Sequence, residues 1–482
     1  MSMHISARDF SYRHASRRKP ALSNVNLSIA PGEKILMLGT SGSGKSTLLA
    51  AIAGVLGAED GDSSGRLEVS GTVGMVLQDP DSQVIASRVG DDVAFGCENL
   101  NIARDEIWQR VTESLALVGL DLPLDHPTAE LSGGQKQRLA LAGVLAMGAE
   151  ILVLDEPTAN LDPAGVAEVV AAVEHVAYHT NATIIIVEHR VATWQSVVER
   201  CVVLADADSG SSVLFDAPLA TVVSEHGKEL AEAGIWVPGF DPEFSHVPGS
   251  VAVAEASTSE AAITLTDVVT GWNTPLNPHF PITATIPAGV STVITGPNGA
   301  GKTTLLLSMC GLLPLHSGDI AIAESIAAPL GPQPDRWSSR ELATRMGYVF
   351  QDPEHQFVAR TVLEELTTSA VVLGMDKAEA EDKSQEILSR LRLDHLSAAN
   401  PFTLSGGQKR RLSVATTLVL APSIVFLDEP TFGQDRTTFI ELVQLLRQLS
   451  EAGTTVVSIS HDELFVSAMS DNHLHLNPRG SQ

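Results

Sequence analysis

The sequence predicts an α/β fold built twice in tandem, each copy around a largely parallel sheet. Three observations carry this. Short apolar strands, at 35–38, 151–154 and 183–187 in the first half and at 424–427 and 454–458 in the second, alternate with helical patterns. A glycine-rich turn follows an apolar strand and opens a helix at 39–47 (GTSGSGKST), and it returns at 296–304 (GPNGAGKTT). The landmarks also recur at one offset, since Gln78 and Gln351, Leu131 and Leu404, and Asp155 and Asp428 are each 273 positions apart. A repeat this long is a duplicated domain rather than a solenoid unit.

Taken in order, the unbroken apolar run 35–38 reads as a strand buried on both faces. The turn after it has phosphate-loop spacing in Gly39, Gly44, Lys45 and Ser46, with Thr40, Ser41, Gly42 and Ser43 between and Thr47 following. Such a turn points successive backbone N–H groups at a phosphate chain. Lys45 would reach the β- and γ-phosphates and Ser46 would set its hydroxyl on Mg²⁺. The helix starting there would aim the positive end of its dipole at the same anion. Gly296, Pro297, Asn298, Gly299, Ala300, Gly301, Lys302, Thr303 and Thr304 repeat the arrangement. The two turns are only 257 positions apart, so the second half carries 16 additional residues before Gln351. The Pro, Gly and Ser content of 321–340 suits a surface loop there. A helix is expected over 222–233. Residues 239–260, rich in Pro, Ser, Ala and acids, read as a linker between domains at 1–238 and 261–482.

With 44% hydrophobic and 18% charged residues, the 482-residue chain has the composition of a globular protein with room for several cores. A net charge of −27 argues against a nucleic-acid partner, which calls for a basic face. Cys97, Cys201 and Cys310 lie far apart without metal-type spacing, as in a reducing compartment. The most apolar runs, 139–154 and 412–427, are broken by Gly148 and Glu150 or by Pro422, so a protein serving a membrane would do so from outside the lipid. No apolar stretch follows Arg17-Arg18-Lys19, and no export signal is expected. His175 and His179 have the spacing of a helical metal pair, but without a third ligand they read as a solvated face. His473 and His475 carry no chemical signal.

Each half also contains LSGGQ, at 131–135 and 404–408, before an apolar strand that ends in Asp-Glu-Pro-Thr, with Gln78 or Gln351 earlier and His189 or His461 later. This ordered set resembles the nucleotide-binding domains of ATP-binding cassette (ABC) proteins over nearly all of both halves. The resemblance implies two P-loop NTPase domains that bind ATP and Mg²⁺ and hydrolyse ATP. Each would have a parallel sheet core, a helical subdomain and a small antiparallel β subdomain. It implies that Asp155 and Asp428 hold the Mg²⁺ shell with Ser46, Thr303, Gln78 and Gln351. Glu156 and Glu429 would orient and deprotonate the attacking water. His189 and His461 would bond the γ-phosphate, and Gln78 and Gln351 would report the site's state to a partner. Ser132, Gly133, Gly134 and Gln135 would cap the ATP held by Lys302, and Ser405, Gly406, Gly407 and Gln408 the ATP held by Lys45. Tyr12 and Trp272 stand where an aromatic would stack on adenine, with a core role as the alternative for both. After Thr158 the chain reads Ala159-Asn160-Leu161-Asp162, and after Thr431 it reads Phe432-Gly433-Gln434-Asp435, so the two sites are expected to differ.

Gln78-Asp79-Pro80-Asp81-Ser82-Gln83, then Asp92-Val93-Ala94-Phe95-Gly96 and Glu98-Asn99-Leu100, is similar to the ATPases of energy-coupling factor (ECF) importers of vitamins and metals, including cobalt-type ones. Gln351-Asp352-Pro353-Glu354-His355-Gln356 and Glu364-Glu365 repeat it. The fused pair resembles members associated with thiamine-precursor uptake. This implies an integral membrane transporter component as partner, a small substrate-binding membrane protein as a further candidate, and a peripheral place on the cytoplasmic face of the membrane. Segments 84–95 and 357–366 would each receive a coupling helix, with Asp91, Asp92, Glu364 and Glu365 meeting its arginines; a solvated acidic face is the alternative. A conventional ABC importer or exporter and a ribosome-associated ABC-F type protein remain open, though the acidic linker departs from the latter. A DNA-repair ATPase would carry coiled-coil or zinc insertions, and neither heptads nor paired CxxC motifs occur.

Overall fold

Seventeen strands can be followed in the computed structural model, which describes residues 3–15, 19–40, 42–57, 59–159, 161–205, 212–244, 260–272, 274–276, 281–431 and 433–477. One compact unit comprises Met1–Asp241 and Asp435–Thr437, the other Pro242–Gln434 and Thr438–Gln482. Most of the expected linker, 245–259, lies outside the described residues.

The first unit contains β1 (Ile5–His14), β2 (Leu22–Ile29), β3 (Lys34–Gly39), β4 (Gly61–Val69), β5 (Val73–Val76), β6 (Ile151–Asp155), β7 (Thr183–Val187), β8 (Arg200–Leu204) and β9 (Val213–Pro218). Strands β2, β1 and β4 form a small antiparallel sheet, and the main sheet runs β5-β6-β7-β3-β8-β9, parallel except for β9. The second unit contains β10 (Ala261–Val269), β11 (Ile282–Pro287), β12 (Ser291–Thr295), β13 (Ser317–Ile322), β14 (Met346–Val349), β15 (Ile424–Asp428), β16 (Thr455–Ile459) and β17 (Asn472–His475). It repeats the pattern with an antiparallel β11-β10-β13 and an all-parallel β14-β15-β16-β12-β17.

Alternate residues of one strand enter two different cores, which is why these strands are apolar throughout. Leu36, Leu38, Leu152, Leu154, Ile184 and Ile186 pack under the helices Val89–Asn99, Arg104–Leu117, Gly133–Ala146 and Pro163–His179. Ile35, Met37, Ile151, Val153, Ile185 and Val187 pack on the other face with the antiparallel sheet and with Leu48, Leu49 and Ile52 of the helix Lys45–Ala53.

The register positions the site. Met37 of β3 and Asp155 of β6 both pair with Val187 of β7, so three strands end level at one edge of the sheet. Ile294 and Asp428 likewise both pair with Ile459 in the second unit. Each glycine-rich turn leaves an interior strand, β3 or β12, at the carboxyl edge of its sheet, where parallel sheets place their ligands.

Three expectations on this layout need correcting. The helix near 222–233 spans Leu219–Glu232, and β16 is displaced by one residue. More substantively, 321–340 is not simply a surface loop. Residues 321 and 322 complete β13, and helical turns form at Glu324–Ala327, Pro334–Arg336 and Ser339–Ala343. Ala327 and Trp337 are buried in the core of the unit, and the indole N–H of Trp337 donates to the Gly331 carbonyl at 2.7 Å. The turn-forming composition is real, but an aromatic anchor pulls the segment inward.

Candidate functional site

Each phosphate-loop turn closes too tightly for a side chain at its key glycines. A Cβ on Gly44 (φ +90°) would lie 2.4 Å from the Ala21 carbonyl oxygen, and one on Gly296 (φ +144°) 2.3 Å from that of Leu476. The helices that follow, Lys45–Ala53 and Lys302–Met309, start without a side-chain cap, so their first N–H groups stay available to whatever the loop binds. Lys45 is buried and its Nζ donates to the carbonyls of Gly39 (2.8 Å) and Thr40 (3.0 Å). Lys302 makes the matching bonds to Gly296 (2.8 Å) and Pro297 (3.1 Å). Burial pushes the Lys45 ammonium below its ordinary pKa, with Glu156 and Asp155 acting the other way. The hydroxyls of Thr40 and Ser43 are buried with no hydrogen-bond partner among the described residues, and Thr47 meets His14 Nε2 at 3.1 Å. A buried cation, orphaned hydroxyls and an uncapped helix start fit a phosphate chain. Ser41 lies outside the described residues.

At the level strand ends Ser46 hydrogen-bonds Asp155, and Thr303 hydrogen-bonds Asp428. Burial raises both carboxyls and these hydroxyls oppose it. A hydroxyl and a carboxylate oxygen are the hard donors that Mg²⁺ prefers, so the pair fits the ion. When bound, Mg²⁺ neutralises charge on phosphate oxygens.

The next residue is locally strained in both units. Glu156 and Glu429 both have φ +47°, in the left-handed region that non-glycine residues rarely adopt. Glu156 is gripped on both oxygens, with His189 Nε2 2.9 Å from Oε1 and Gln78 Nε2 donating to Oε2 at 2.9 Å. Burial alone would raise its pKa, but the hydrogen bond and charge of His189 and the charge of Lys45 keep it below the ordinary carboxylate value. Glu429 is held less closely. His461 Nε2 is 3.5 Å from Oε1, and the His461 N–H donates to Oε2 at 3.4 Å. Burial, reinforced by Asp428, pushes Glu429 up to about 7. A carboxylate oriented by an imidazole beside a metal-type pair and a phosphate cradle can activate water against a terminal phosphate.

The LSGGQ segments start helices. Ser132 and Ser405 are N-caps of Gly133–Ala146 and Gly406–Leu418, each closing a reciprocal capping box with Gln135 or Gln408. Each serine oxygen accepts from the helix, which leaves its hydroxyl hydrogen to be donated elsewhere. Gly134 packs against Gly165, and a Cβ on it would lie 3.0 Å from the Gly165 Cα.

Two readings of the sequence change. Tyr12 is only 4% exposed and sits in the core with Phe10 and Leu22, so it offers no open face to a base; strand alternation turns it inward. Trp272 is 69% exposed. Of the four acids expected to face a partner, Asp92 and Glu365 are occupied within their own units. Asp92 Oδ1 accepts from the N–H groups of Ile85 and Ala86 (both 2.7 Å), and Glu365 Oε2 from those of Val358 (2.9 Å) and Ala359 (2.7 Å). Carboxylates near a helix start satisfy free N–H groups of the preceding loop. Asp91 and Glu364 remain exposed.

Sequence reasoning missed Glu188, a buried carboxyl that accepts from the Thr158 hydroxyl and, at 2.9 Å, from the His189 N–H. Burial raises its pKa. Ser460 takes its place before His461, a difference visible once the histidines are aligned. Tyr348 was missed as well; its hydroxyl donates to Asp428 Oδ2 at 3.5 Å, where the first unit has Met75.

Residues 22–159 and 280–432 match the ABC transporter family. A provisionally named HMP/thiamine import ATP-binding protein of Bacillus subtilis is 33% identical over 510 residues, covering 99% of this chain and 90% of its own length. A provisionally named ABC transporter ATP-binding protein of Methanosarcina acetivorans is 34% identical, covering 94% and 80%. Ribosome-bound archaeal Pelota and ABCE1 supply a solved structure similar over 98% of this chain and 78% of that chain, with a TM-score of 0.66 at 19% identity, a likeness of fold.

Proposed function

This chain belongs to the ABC transporter family of ATP-binding proteins and is an ATPase of that family, and on this premise we propose that it energises an ECF-type importer of a vitamin precursor, another vitamin or a metal ion. The observation that carries the choice of importer is the 33% identity, over 99% of this chain, to a relative whose name assigns it to HMP/thiamine import. The Gln78–Gln83 and Gln351–Gln356 stretches support the ECF class. In this reading both units hold ATP on their glycine-rich loops, with Mg²⁺ on Ser46 and Asp155 or on Thr303 and Asp428. Glu156 and Glu429 act as the bases, His189 and His461, each beside its glutamate, bond the γ-phosphate, and Gln78 and Gln351 contact the metal or the water.

No helix among the described residues is long and apolar enough to cross a membrane. In this reading, membership of the ABC transporter family supports an integral membrane component as the partner that carries the substrate. ATP can drive that partner only through contacts that differ between states. The surface after each glutamine suits a coupling helix. Ile85 is 62% and Val358 80% exposed, beside the exposed acids Asp91 and Glu364.

Purification from membranes in mild detergent is expected to bring two small integral membrane proteins with the chain. Asp91→Lys with Glu364→Lys should weaken that assembly about tenfold while the ATPase of the chain alone stays near wild type. Co-purification of an extracytoplasmic solute-binding protein instead would make it a conventional importer. Recovery with ribosomes and without membrane proteins would end the transport reading.

A further inference from the structure

Arg410 is buried to 4% exposure in the helix Gly406–Leu418, yet no carboxylate pairs with it among the described residues. Its guanidinium fork is spent on two successive main-chain carbonyls. Nη1 donates to Phe350 at 2.7 Å and Nη2 donates to Gln351. Burial lowers its pKa to about 10, opposed by Asp352, Asp428 and Glu429.

The first unit shows that the fold does not need this cation. Gln137, 273 positions earlier, is equally buried, and its Nε2 donates to the Leu77 carbonyl at 2.9 Å, the counterpart of Phe350. Its Oε1 accepts from Gln83 Nε2 at 2.8 Å. A neutral amide therefore staples the segment to the helix. What the arginine adds is the bond to Gln351 itself. The side chains differ accordingly, since Gln78 reaches Glu156 whereas no hydrogen bond joins Gln351 to Glu429 among the described residues.

We infer that Arg410 is a positioning residue of the second site, fixing the main chain of Gln351 and hence where its amide stands toward metal and water. In the first site the bond between Gln78 and Glu156 does that work. The inference rests on reading the second unit as a hydrolytic site.

The test uses the full-length chain carrying Glu156→Gln, so that turnover reports the second site. Arg410→Gln, which installs the residue of the first unit, is expected to lower kcat about tenfold and to raise the half-saturating Mg²⁺ concentration severalfold, with KM for ATP within twofold. Arg410→Lys keeps the charge but not the fork, and should fall equally. Full activity of either variant overturns the inference, as does a parallel loss of kcat, ATP affinity and thermal midpoint. If Arg410→Gln is destabilised, adding Gln351→Ala decides the matter. Changes acting through one residue are not additive, so the double variant should be no slower than Gln351→Ala alone, and additive losses overturn the inference. Glu429→Gln in the same background is the control. Turnover that survives it discredits the site itself rather than the role of Arg410.

Discussion

Replacing Glu156 and Glu429 together by Gln is expected to lower ATP turnover by at least about 10²-fold while ATP affinity changes only a few-fold. Each glutamate follows the metal-type aspartate by one residue, is turned by a left-handed backbone toward the edge of the sheet, and meets a histidine from the neighbouring strand end. The lysine, the glycine turn and the uncapped helix that would hold phosphate are separate groups and stay intact. An amide of the same size keeps the packing and can still accept from the histidine, but it cannot take a proton from water. Steady-state phosphate release and equilibrium binding of a fluorescent ATP analogue would be measured on the same preparation. Turnover near wild type would remove both residues from the chemistry, and a matching loss of affinity would make them binding groups instead.

Loss of either loop lysine should expose a difference between the two sites. Removing a buried charge-assisted contact to phosphate costs about 2 kcal/mol, so Lys45→Ala and Lys302→Ala should each weaken nucleotide binding in their own unit about thirtyfold. The turnover that remains then belongs mainly to the other site. Glu429 is pushed up to about 7, so in the Lys45→Ala protein the surviving base takes up a proton as pH falls from 8 to 6. Its kcat/KM should drop about tenfold over that range. Glu156 is kept below the ordinary carboxylate value, so it stays ionised there, and the Lys302→Ala protein should hold most of its activity. Superimposable pH profiles would show that the looser 3.5 Å contact of His461 and the missing counterpart of Glu188 have no functional consequence.

Recognition of a phosphate chain is local, and that part was determined by the sequence alone. Nine consecutive residues supply the turn, the lysine, the hydroxyl and the helix start, so the spacing in 39–47 and 296–304 already implied the cradle. The capping boxes of Ser132 with Gln135 and Ser405 with Gln408 are equally local, and the apolar strands announced a sheet buried on both faces. Only the tertiary structure decided what meets across long separations. Gln78 and His189 converge on Glu156, Asp92 and Glu365 turn back onto their own loops, and Trp337 draws a Pro- and Gly-rich stretch into the core. Alternation along a strand tells which side a residue such as Tyr12 faces but not whether that side is covered. The difference between Glu156 and Glu429 arises the same way. Identical neighbours in sequence place them in equally strained turns, while burial and the reach of distant groups set the charge each one carries.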